Sequence, residues 1–214
     1  MKTALLLGAT GLVGGHLLTQ LLDDPRYESV VALTRRPLAI QHAKLRQAIL
    51  DFDHPNPALL RGDDLFCALG TTLRQAGSKG AQYRIDCTYP AEIGRLARQN
   101  GVQQYLLVSS LGANAQSSGF YLRTKGELEE KIKALQFKAF VSARPSFLAG
   151  NRGEFRLGER IGLAVFRALR PIIPRKYRAI QAGQVAAALI ALANEGLTGT
   201  HIVESDRLQD YQFG

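Results

Sequence analysis

Cysteine is scarce in this 214-residue chain: Cys67 sits in an apolar run and Cys87 in ordinary helical context. That excludes a disulfide-stapled secreted fold and points to reduced thiols, hence a cytoplasmic chain. Histidines are equally few, and His16, His42, His54 and His201 are too scattered to form a metal cluster. Each of them reads as a structural or exposed residue. Long apolar runs are missing as well, since Val185 to Ala193 falls well short of the roughly 18 residues a membrane span requires. Lys2 and the apolar residues after it imitate a short signal peptide, but Gly8, Gly11, Gly14 and Gly15 stand at turn spacing inside it, which a strand and loop explain better. With 8 Pro, 21 Gly, 46% apolar and 21% charged residues, collagen, coiled coil and disorder are excluded too. No repeat, linker or low-complexity tract divides residues 1–214, so a single domain is expected.

Acidic residues are also in deficit, 18 against 27 Lys and Arg, and the imbalance is local. Residues 121–178 hold 14 of the basic and 5 of the acidic residues, so this segment carries the whole net charge of +9. A basic face around a site for small anionic molecules is the expected reading. Nucleic acid or a membrane surface, met through Arg156, Arg160, Arg167 and Arg170 beside Phe155, Ile161 and Phe166, is the lesser alternative.

Apolar runs and helical patterns alternate. Thr3 to Leu7, Ser29 to Thr34, Gln47 to Leu50, Asp64 to Leu69, Gln104 to Ser109 and Lys138 to Ala143 read as strands, with a further strand over Thr200 to Val203. Helices are expected over Leu12 to Leu22, Ala81 to Gln99, Ser118 to Leu135 and Gln181 to Asn194. The strands are too continuously apolar to be half exposed, which predicts an α/β fold: a parallel sheet with helices on both faces. After Pro145 the regularity fails, and residues 146–180 are expected to form a small lid or substrate region.

Gly8-Ala9-Thr10-Gly11-Leu12-Val13-Gly14 is a G-x-x-G-x-x-G loop between the first strand and the first helix. Glycines there let the chain turn sharply and approach a pyrophosphate, whose charge meets free N–H groups at a positive helix end. Where an NAD-binding chain normally presents an acid to the ribose, at the end of the second strand, this one has Arg35 and Arg36 after Thr34. Two guanidinium groups can clamp a 2′-phosphate by forked, charge-assisted bonds, so NADP(H) is the expected cofactor. Asp51, after the third strand, is placed either to accept a bond from the adenine amino group or to serve as an ordinary turn carboxylate.

Tyr121 and Lys125 stand at i and i+4, on one helix face, after a strand that ends in Ser109-Ser110. The three groups are expected at the carboxyl edge of the sheet, where α/β proteins bind ligands. A free phenol ionises near pH 10, so acid–base work near neutrality needs a shift of about three units, or about 4 kcal/mol. A neighbouring ammonium has the right sign to supply it. Ser110 would hold a substrate oxygen, Ser109 would be a strand-end group, and Tyr121 would protonate a carbonyl as hydride arrives from NADPH.

These residues resemble the short-chain dehydrogenase/reductase superfamily in its extended or atypical branch. More closely, Cys67-Ala-Leu-Gly-Thr-Thr72, Val108-Ser-Ser-Leu-Gly-Ala113, Tyr121-Leu-Arg-Thr-Lys-Gly-Glu127 and Arg144-Pro145 resemble the Tat-interacting-protein-like oxidoreductases, over nearly the whole chain. The resemblance implies a Rossmann-type, doubly wound parallel sheet with NADPH in the cleft, lined by Thr10, Gly11, Leu12, Val13, Arg35, Arg36, Leu69, Gly70, Tyr121, Lys125 and Leu148. Leu12 departs from members with a polar residue after the second glycine, so that side-chain contact is lost. The expected activity is reduction of a small carbonyl compound, anionic ones suiting the basic segment, by a monomer or homodimer. The alternative is a non-enzymatic NADPH-binding regulator acting through a protein partner, because the family also contains regulators.

Overall fold

The computed structural model describes residues 1–149 and 174–211. The chain opens with β1 (Lys2–Leu7), α1 (Leu12–Asp23), β2 (Tyr27–Thr34) and β3 (Leu45–Ile49). After a 3-10 turn at Pro57–Leu59 come β4 (Asp64–Cys67), α2 (Leu73–Ala76) and α3 (Lys79–Tyr83). A π turn (Arg84–Thr88) leads into α4 (Tyr89–Gln99), then β5 (Gln104–Val108), α5 (Phe120–Ala134) and β6 (Ala139–Arg144). The described remainder is β7 (Leu148–Ala149), β8 (Ile180–Gln181), α6 (Ala182–Leu192), β9 (Gly199–Glu204) and α7 (Ser205–Leu208).

Among the described residues the main sheet has seven strands in the order β3-β2-β1-β4-β5-β6-β9, and every pairing is parallel. That is the doubly wound order with a seventh strand added, and the direction of winding reverses between β1 and β4. The strand period of two divides the core cleanly. Ala4, Leu6, Phe66, Leu106 and Val141 face α1 and α6, while Leu5, Leu7, Leu65, Tyr105, Leu107 and Phe140 face α4 and α5. Strands buried on both sides need no polar alternation, which is why they read as unbroken apolar runs.

The expected helix from Ala81 to Gln99 is interrupted: the π turn inserts between α3 and α4, and Pro90 begins the regular helix behind it. α2, α7 and the 3-10 turns span no more than about one helical turn and leave no pattern to read. Of the expected lid, residues 150–173 lie outside the described residues. Its two flanks pair as the parallel strands β7 and β8, Leu148 opposite Ile180.

Candidate cofactor and active site

The loop after β1 and the loop after β4 meet at the winding reversal. Gly8 has φ +84°, a conformation that L side chains rarely adopt, and a Cβ there would stand 2.6 Å from Ala68 carbonyl carbon and oxygen. Gly14 is tighter still, since its Cβ would fall 1.9 Å from the Gly8 oxygen. These two glycines let α1 and the β4 loop press against one turn, closed by the Gly11 N–H donating to Gly8 O at 2.9 Å. Gly11 is the N-cap of α1 and brings no side-chain cap, so the positive end of the helix opens on this turn. Thr10 and Gly11 are exposed there, Val13 is buried, and half-buried Leu12 packs on the same core cluster as Ala68 and Leu148.

Across the reversal the catalytic candidates come from β5 and α5. Lys125 is 3% exposed, and its Nζ lies 6.0 Å from the centre of the Tyr121 ring. The same ammonium is 3.6 Å from where a Gly70 Cβ would stand, so the missing side chain gives it access to the β4 loop, with Leu69 half-buried beside it. Tyr121 is 42% exposed, with the buried lysine's ammonium over its ring. The two serines differ: Ser109 is buried with its hydroxyl donating to Glu129 Oε1 at 2.5 Å, whereas Ser110 is half-buried and, among the described residues, its hydroxyl makes a long 3.4 Å bond to Leu111 O. No hydrogen bond joins Ser110 to Tyr121 or Lys125 among the described residues.

Three candidates stand apart from this group. Arg35 and Arg36 follow β2, both exposed, without an ion pair among the described residues. Asp51 follows β3 and its Oδ1 accepts the Asp53 N–H at 2.9 Å, which is turn geometry. Its carboxylate is nevertheless exposed at the carboxyl edge of the sheet.

Two acids escaped the sequence reading. Asp86, on the π turn, is fully buried: Oδ1 accepts the Thr71 N–H at 2.7 Å, and Oδ2 meets no hydrogen-bond partner within bonding geometry among the described residues. Burial pushes its carboxyl above the usual range, while Lys125, the Thr71 N–H and Gln82 pull it back. π turns concentrate at functional sites, and here one delivers a carboxylate beside the site lysine. Glu129, one turn beyond Lys125, is buried among Ser109, Ser142 and Arg144. In sequence both acids look like ordinary helix surface charges. Cys67 and Cys87 offer no nucleophile, because burial pushes both thiols up.

Comparison with known proteins decides the family. A family model described as NAD(P)H-binding matches residues 8–196. The chain belongs to that family. It is 40% identical over 161 residues to the mitochondrial protein FMP52 of Candida glabrata, covering 73% of this chain and 68% of the relative. Rat protein HTATIP2 is 36% identical over 174 residues, covering 78% and 72% respectively. Among solved structures, a putative NAD-dependent epimerase/dehydratase from Bacillus halodurans superposes with TM-score 0.71 at 17% identity, over 98% of this chain and 99% of that one. MoeE5, solved with UDP-glucose and NAD, gives 0.71 at 20% identity over 96% and 79%. The resemblance to atypical short-chain dehydrogenase/reductases therefore holds, and the Rossmann-type fold with it.

The expected cytoplasmic location does not hold. FMP52 relatives from Candida glabrata, Aspergillus fumigatus and Emericella nidulans are named mitochondrial proteins. Unpaired cysteines exclude only compartments that form disulfides and do not distinguish one reducing compartment from another. No described helix is long and apolar enough to cross a membrane.

Proposed function

We propose that the chain is an NADPH-dependent reductase of a small carbonyl compound, working through Tyr121, Lys125 and Ser110. The observation that carries this reading is the buried Lys125 ammonium, set between the Tyr121 ring and the bare backbone of Gly70. The residues present fit a pyridine dinucleotide. Gly8, Gly11 and Gly14 leave a side-chain-free cradle at an uncapped helix end, and Arg35 with Arg36 offers two exposed guanidinium groups, without an ion pair among the described residues, at the next strand end. Asp51, Leu69 and Leu148 complete the wall, and the basic segment favours an anionic carbonyl substrate.

A nicotinamide bound there supplies the hydride. Ser110 Oγ holds the carbonyl oxygen by hydrogen bond. The Tyr121 phenol gives that oxygen its proton, and the Lys125 ammonium stabilises the phenolate left behind. Asp86, whose Oδ1 lies 3.7 Å from where a Gly70 Cβ would stand, interacts electrostatically with Lys125 and offsets part of its charge. The mitochondrial naming of the fungal relatives makes that organelle the compartment in which to seek the substrate.

The test is Tyr121→Phe in a carbonyl-dependent NADPH oxidation assay. Removing a general acid costs about 10²- to 10⁴-fold in turnover, while NADPH affinity should change by less than about threefold. Turnover unchanged by the substitution overturns the assignment of Tyr121. A parent protein that binds NADPH yet oxidises it with no carbonyl compound supports the non-enzymatic regulator instead.

A further inference from the structure

We propose that Glu129 is a positioning residue, fixing the register of Tyr121 and Lys125 on α5 against the serine end of β5. The proposal rests on the reductase reading for its consequence, though not for its geometry. Glu129 lies eight residues past Tyr121 and four past Lys125, along one side of the helix. It is 5% exposed, and both carboxylate oxygens are filled. Oε1 accepts from Ser109 Oγ at 2.5 Å, Ser142 Oγ at 2.7 Å and Arg144 Nε at 3.0 Å, and Oε2 accepts from the Arg144 terminal nitrogen at 2.5 Å. One side chain thus gathers the ends of β5 and β6 onto α5. Arg144 continues the chain to Glu204 at 3.6 Å, at the end of β9, and Lys176 meets the same glutamate at 3.5 Å.

A buried ion pair is a poor source of stability, because desolvating two charges offsets most of their attraction. Directed bonds supply what apolar packing does not, a fixed axial position. Apolar contacts tolerate a helix sliding by a fraction of an ångström, whereas a forked guanidinium bond and two hydroxyl donors at hydrogen-bond length do not. Gly126 sets the other coordinate: a Cβ there would stand 2.2 Å from the Asn114 and Ala115 backbone, so α5 already touches the loop that follows Ser110. With separation fixed by Gly126 and register by Glu129, the phenol and the ammonium have one place to stand. Glu129 also takes the Ser109 hydroxyl out of play, which leaves Ser110 as the serine available to a ligand.

The experiment compares the parent with Glu129→Asp, which keeps the charge but is about 1.5 Å shorter. It follows the ring carbon-13 resonances of Tyr121, identified by its loss in Tyr121→Phe, and, as a control, of Tyr27, which is buried on β2 and bonded to Asp64 on the face of the sheet away from α5. The expected result is a moved Tyr121 resonance with Tyr27 unchanged and, where the parent turns over, kcat lower by about tenfold or more with the KM for NADPH within about threefold. Should Glu129→Asp fail to fold, Ser109→Ala removes one of the four bonds without burying a charge, and a smaller movement of Tyr121 is expected. A folded variant with the Tyr121 resonance at the parent position, or with parent kcat in an active enzyme, overturns the proposal whatever its melting temperature. The resonances are read without cofactor or substrate, so a parent that never turns over defeats the reductase reading alone.

Discussion

Charge placement is the residue-scale determinant of cofactor choice. An acid at the end of β2 would repel a 2′-phosphate, and this chain offers Arg35 and Arg36 instead. NADPH should therefore bind more tightly than NADH in a fluorescence titration, and Arg35→Ala with Arg36→Ala should bring the two affinities within about threefold of each other, since charge-assisted bonds are the stronger kind. Equal affinities in the parent would remove the phosphate clamp. Asp86 gives a pH-dependent expectation. Its carboxyl is held above its unfolded value mainly by burial, so the folded state binds the proton more tightly, and this residue's contribution to stability worsens as pH rises from the ordinary carboxylate range through the folded value. Asp86→Asn should lose that dependence. The melting temperature of Asp86→Asn relative to the parent should thus increase with pH across that window; a difference independent of pH would contradict the assignment.

Tight approach of backbone to backbone governs the elements, and the glycines of the first loop are not equivalent. Gly14→Ala would set a methyl group 1.9 Å from Gly8 O, backbone against backbone, and should cost about 3 kcal/mol or more along with NADPH binding. Gly15→Ala, one residue on, would meet Ala9 O at an ordinary 3.7 Å and should gain up to about 1 kcal/mol from helix propensity with NADPH affinity retained. Urea denaturation with a binding titration separates the two. The strands were legible because burial on both faces makes β1, β4 and β5 continuous apolar runs. The π turn was not: a single extra residue per turn leaves the apolar stripe of Tyr83 to Gln99 nearly intact, so sequence periodicity shows one helix where there are two joined pieces. Asp86 went unread with it. Glu129 went unread for a different reason, because three glutamates in Glu127 to Glu130 look alike until Ser109, Ser142 and Arg144 are seen to converge on one of them.

At the scale of the whole molecule, parallel pairing does what the sequence could only promise. It carries the glycine loop, the arginine pair, Leu69 and Gly70, and the Tyr-Lys helix to the carboxyl edge of a single sheet, although they are spread over more than half the chain. Compartment was beyond the reach of composition, since reduced cysteines are compatible with a mitochondrial matrix and a cytosol alike. The claim at the centre is that a dinucleotide lies across the β1–β4 reversal and faces Tyr121. A crystal structure of the chain with NADP⁺ tests it most directly. The pyrophosphate is expected against Gly8 to Gly14, the 2′-phosphate between Arg35 and Arg36, and the nicotinamide beside Tyr121 and Lys125. A dinucleotide seated elsewhere, or a nicotinamide out of reach of the Tyr121 hydroxyl, would contradict it.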